Sequence, residues 1–143
     1  MKFSILVYVL LFITLSCDRE DDNDSVVNCD YPILISDSRY QSADSDEPFN
    51  IQDISIADGC LIIEIQSSGC DGSTWTAELI DSEGIAKSFP VQRFLKIEFK
   101  NIEECDAVIS RTFSYDLEDI ELSEYSEIIL YIDGFDAQIS YVY

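Results

Sequence analysis

The sequence predicts an all-β domain: an antiparallel β-sandwich of the immunoglobulin-like kind, with seven or eight strands and two disulfides. Three observations predict it. From residue 31 onward, apolar residues recur with a period of two rather than 3.6. The apolar runs are short and separated by turn residues at close spacing. Four cysteines, Cys29, Cys60, Cys70 and Cys105, are spread through the same region, and an even number outside the cytosol reads as two bridges.

Taken in order, Ile54-Ser55-Ile56 leads through Asp58-Gly59 into Leu61-Ile62-Ile63-Glu64-Ile65. An Asp-Gly between two β-branched runs is a hairpin signal. Trp75 to Leu79 alternates, and Ser82-Glu83-Gly84 is expected to end that strand. Leu95 to Lys100 has one apolar and one charged face. Val108 to Tyr115 puts Ile109, Arg111, Phe113 and Tyr115 on one side. Ile128 to Ile132 is continuously apolar, as in a strand covered on both faces. Asp133-Gly134 is a further turn, and Ala137 to Tyr143 aligns Ile139, Tyr141 and Tyr143. Residues 117–126 read as one short helical turn or a loop. No segment has the periodicity of a long amphipathic helix. Strands with one polar face fit two sheets packed on each other.

Strand length constrains the bridges. Cys60 and Cys70 flank a strand that spans roughly 20 Å at ~3.3 Å per residue, whereas bridged Cα atoms lie within ~7 Å. That disfavours Cys60–Cys70 unless residues 67–69 fold straight back. Cys105 sits in the turn after the strand ending at Lys100. The favoured pairs are therefore Cys70–Cys105 and Cys29–Cys60.

The first residues, MKFSILVYVLLFITLSC, read differently. Lys2 precedes an apolar run from Phe3 to Leu15, too short for the ~20 residues a membrane span needs but right for a signal-peptide core. The ending Thr14-Leu15-Ser16-Cys17 resembles a lipobox, the recognition element of bacterial lipoproteins, although the usual pattern has Leu where this chain has Thr14. The resemblance implies that residues 1–16 are removed and that Cys17 is acylated, giving a membrane anchor of the firm, multi-chain kind. The run Asp18-Arg19-Glu20-Asp21-Asp22-Asn23-Asp24-Ser25 resembles the surface-export signal of Bacteroidota lipoproteins, implying the outer face of the outer membrane. Residues 17–28 then form an acidic linker, and residues 29–143 the domain. Segments around Ser67-Gly69-Cys70, Cys105-Asp106-Ala107 and Phe113–Leu117 resemble small uncharacterised β-sandwich lipoproteins of that group. That likeness implies no activity.

The whole chain holds 8 Lys and Arg against 29 Asp and Glu, a net charge of −21. Loss of residues 1–16 deletes Lys2 and no acid, which takes the charge to −22. Such a chain repels nucleic acid and anionic lipid. It would attract cations or a basic partner. Hydrophobic residues make up 47% of the sequence, enough for a packed core despite the acids.

Candidate chemistry is sparse. There is no histidine, so Ser-His and Cys-His nucleophile pairs are excluded. No glycine-rich phosphate loop occurs, and nothing in the sequence calls for a cofactor. Calcium is the one metal the acids suit, through Asp44, Asp46 and Glu47, through Asp116, Glu118 and Asp119, or through Asp133 with Asp136. None fits an EF-hand. Trp75, the only tryptophan, reads as core. Tyr141 and Tyr143 fit core packing at an edge strand, and an open edge there could accept a partner's strand. The expectation is a non-enzymatic surface binding or accessory module with a protein or glycan partner. The alternative is a calcium-dependent binding or adhesion module.

Overall fold

The computed structural model describes residues 28–143. The signal peptide expected at residues 1–16, Cys17 and all of the expected linker but its last residue, Asn28, lie outside the described residues.

Among the described residues, eight strands form two sheets. The three-stranded sheet has the order β2 (Asn50–Ala57), β3 (Cys60–Gly69), β6 (Ala107–Asp116), antiparallel throughout. The five-stranded sheet has the order β1 (Leu34–Ile35), β4 (Thr76–Ala86), β5 (Val91–Lys100), β7 (Glu127–Ile132), β8 (Ile139–Val142). Here the expected all-antiparallel pairing fails twice, because β1–β4 and β5–β7 are parallel. The chain leaves this sheet after β1 and after β5, runs through strands of the other sheet, and returns in the same direction. Parallel neighbours need such a crossover. A period of two fixes which face a side chain takes, not which way its strand runs.

Both sheets feed one buried cluster. Leu61, Ile63, Ile65, Phe113 and Tyr115 come from the three-stranded sheet. Leu79, Leu95, Ile97, Phe99, Ile128 and Leu130 come from the five-stranded one. Trp75 is 2% exposed and meets Phe99 edge-on at 5.2 Å, a favoured aromatic geometry.

The turns follow the local chemistry. Asp58 and Gly59 have φ of 51° and 76°, the double left-handed conformation a two-residue hairpin requires. Ser82-Glu83-Gly84 does not end β4. It bulges, so that Asp81 opposes Leu95 while Ile85 opposes Arg93. The Asp81 carboxylate accepts the Glu83 N–H at 2.7 Å, which stabilises the excursion. β7 alternates buried and half-buried residues, rather than being sealed on both faces.

A six-residue helix, α1 (Asp37–Ser42), was not expected. It is too short to display a period. It forms because Ser36 caps it, its hydroxyl accepting the Arg39 N–H at 3.4 Å. Arg39 then bonds both Glu78 and Glu98 at 2.7 Å on the polar face of β4 and β5. Residues 117–126 contain one 3₁₀ turn, Glu118–Ile120, followed by a loop.

Two bridges pin the ends of β3. Cys29 joins Cys60 with Cα atoms 5.7 Å apart, and Cys70 joins Cys105 at 5.0 Å. The first holds the chain entering the domain against β6, where Tyr31 and Tyr115 bridge and Tyr31 N–H donates to Ser114 O at 3.0 Å.

Candidate binding groove

The connection between β4 and β5 is residues 87–90. The Ser88 hydroxyl donates to Pro90 O at 2.6 Å, and Ser88 N–H to Ala86 O at 2.8 Å. Fixed this way, the turn leaves Phe89 outside the core, 93% exposed. Ile85 lies beside it, also exposed.

The facing wall is the loop after the 3₁₀ turn. Its shape is set by the two tyrosines of the C-terminal strand. Tyr143 Oη accepts Leu122 N–H at 2.8 Å and lies 3.1 Å from Leu122 O. Tyr141 Oη donates to Glu121 Oε1 at 2.6 Å. Burial, then the Glu121 carboxylate, raises the Tyr141 hydroxyl well above its ordinary range, so it remains a proton donor. Tyr125 N–H closes back on Leu122 O at 2.9 Å. Between the walls is a groove of about 700 Å³ lined by Ile85, Phe89, Leu122 and Tyr125, with Lys87, Glu121, Glu124 and two serines also on its lining. Tyr141 and Tyr143 thus hold a wall in place. β8 is also an edge of its sheet, with Val142 exposed.

Phe89, Ile85 and Tyr125 were not singled out in the sequence. The available signal was Phe89-Pro90, an aromatic residue stranded in a turn between two alternating runs.

The acidic clusters do not assemble into metal sites. Among the described residues, no group of three or more His, Cys, Asp or Glu is placed to hold a metal ion. Several of these acids have structural partners instead. Asp46 Oδ1 accepts Asn101 N–H at 3.1 Å, and Asp116 Oδ1 accepts Glu118 N–H at 2.9 Å. Asp44 and Asp133 do line a common hollow of about 470 Å³, but Lys96 lines it with them. The Lys96 ammonium sits 4.9 Å from the centre of the Tyr40 ring.

Glu103 occupies a cradle of backbone donors. One carboxylate oxygen accepts the N–H groups of Cys70, Asp71 and Gly72 at 2.6, 3.2 and 3.0 Å. The other accepts from the Thr74 hydroxyl at 3.2 Å. Desolvation pushes the carboxyl up, and the backbone donors outweigh it, so it is held below the usual carboxylate range. The cradle is an anion site filled by the chain's own residue. All four described cysteines are in disulfides, which removes the thiolate nucleophile.

No protein-family model matches this chain, and neither does any curated protein. Solved structures do match it. A NigD-like immunity protein from Bacteroides caccae superposes with TM-score 0.57 at 13% identity, over 78% of this chain and 63% of its own. A protein of unknown function, DUF1344, from Bacteroides vulgatus gives 0.51 at 16%, over 79% and 55%. A putative toxin-related protein from Parabacteroides distasonis gives 0.50 at 13%, over 78% and 58%. The chain therefore spans less than two thirds of each neighbour. At these identities the likeness is one of fold, shared with proteins of Bacteroides and its relatives.

Proposed function

We propose that this chain is a membrane-anchored lipoprotein displayed on the cell exterior, where an immunoglobulin-like sandwich works as a non-enzymatic binding or accessory module. The observation that carries the binding role is Phe89, 93% exposed on a groove whose lining joins apolar side chains to charged and hydroxyl ones. A large aromatic side chain held out in water by a braced turn has no folding role to explain it. Exposed aromatic anchors beside a pocket are typical of recognition surfaces. The anchor rests on Lys2, the short apolar run and Cys17; the address rests on the acidic residues after it. The missing histidine and the bridged cysteines favour binding over catalysis.

The test has two limbs. In the producing bacterium, wild-type protein should sediment with the outer membrane and be degraded by protease added to intact cells. Cys17→Ala should be released; a variant that stays in the membrane would sink the lipoprotein reading. A photo-crosslinking amino acid at position 89 should form adducts on intact cells, while one at exposed Asp53 on β2 should not. Equal behaviour at the two positions would remove the groove as the binding site.

A further inference from the structure

We infer that the Phe89 groove takes a basic segment of another protein, one that offers an apolar side chain flanked by Lys or Arg. This rests on the binding role proposed above and names the chemistry of its partner.

The groove combines two features that select for that chemistry. Its walls, Ile85, Phe89, Leu122 and Tyr125, are apolar and suit one inserted hydrophobic anchor. Its lip is acidic. Glu124 is exposed, and Glu121 keeps one carboxylate oxygen beyond the one that Tyr141 occupies. A smaller hollow continues the groove past Phe89 and Pro90 and adds Glu127 beside Glu124. Lys87 is the only cation on the lining.

The field of the whole molecule acts in the same direction. Most of the other described cations are already engaged. Arg39 bonds Glu78 and Glu98, Arg93 bonds Asp81, and Lys100 lies 3.6 Å from Glu98. Arg111 is spent on the backbone carbonyls of Gly72 and Trp75. The surplus acid therefore projects from the surface and steers cationic partners inward.

The same charge weighs against other occupants. Two copies of a chain with net charge −21 repel each other, so self-association through this face is opposed. Nucleic acid and anionic lipid are repelled likewise. A neutral glycan would stack on Phe89 without using the acidic lip.

The full-length lipoprotein in neutral detergent can be titrated with three fluorescent hexapeptides. One carries Leu-Phe between pairs of Lys, one replaces Leu-Phe by Ser-Ser, and one replaces every Lys by Glu. The first should bind tightest. Phe89→Ser changes no charge and removes an exposed side chain, so the fold survives; it should weaken that peptide at least about tenfold, as loss of an anchor does. Glu124→Gln should weaken it about two- to fivefold and flatten its salt dependence. Equal binding of the first two peptides, unaffected by Phe89→Ser, would reduce the effect to the general field and overturn the inference. Binding of the acidic peptide as well as the basic one would overturn it too, as would binding of none. Crosslinking from position 89 separates this from the wider role: an adduct to a glycan or to a second copy preserves a binding groove while removing the basic partner.

Discussion

Asp81 and Arg93 are the most exposed to single changes, because both are buried on the inward-facing register of Leu79 and Leu95. Arg93 Nε donates to one Asp81 oxygen at 2.8 Å and its Nη2 to the other at 2.9 Å. Asp81→Ala would strand the guanidinium and should cost about 3–5 kcal/mol in urea unfolding, whereas Asp81→Val with Arg93→Met should recover most of that. Trp75, sole and buried, reports such unfolding by a red shift of its emission. Glu103 contributes to acid sensitivity. Its carboxyl, like those of Glu98 and Asp71, is held below its ordinary range in the folded chain. A depressed folded pKa gives stabilisation that is present above the unfolded value and lost as pH falls through the folded one. The gap in melting temperature between wild type and Glu103→Gln should therefore be largest near neutrality and shrink below about pH 4.3. Little of this was legible in the sequence. Asp81 and Glu103 are two acids among 29, and only the fold decides which acid meets an arginine and which meets a cluster of backbone N–H groups.

At the scale of elements, what could be read was whatever depends on near neighbours in the chain. The Asp58-Gly59 turn is an example, since its backbone angles follow from residue type alone. Gly59→Val should cost about 1–2 kcal/mol, because a left-handed backbone brings Cβ against the following carbonyl. The bridges belong here too, since strand length against the reach of a disulfide was the argument for them. Replacing Cys70 and Cys105 together by Ala should cost about 2–4 kcal/mol, seen as a lower urea midpoint under non-reducing conditions. The misreadings share one cause. The bulge at 82–84 continues a strand that its turn-like residues seemed to end, and it does so through the Asp81 carboxylate and pairing with β5. The helix Asp37–Ser42 stands on glutamates about 40 and 60 positions away. The parallel pairs depend on a second sheet that no local window contains.

Over the whole molecule, the composition, the β-rich character and the two bridges were legible in the sequence, while the strand directions and the groove were not. Its walls come from the end of β4 with the turn after it and from a loop at 121–125, the latter held by tyrosines at 141 and 143. The net charge predicts a further behaviour. Sodium chloride should raise the melting temperature by screening self-repulsion, and calcium at matched ionic strength should add no further shift; a calcium-specific rise would support the calcium-dependent alternative. The two bridges also make the domain a mechanical object. Tension arriving from the N-terminal side enters at Cys29 and passes covalently to Cys60, so residues 30–59 lie off the load path. The Cys70–Cys105 bond shields residues 71–104 in the same way. Under a pull between its two ends, only residues 61–69 and 106–143 can lengthen, which are largely β3, β6 and the C-terminal strands. The helix, the β4–β5 turn and Phe89 sit in the shielded loops, so one wall of the groove belongs to a covalently closed ring that carries no direct tension, while the facing wall lies on the loaded chain.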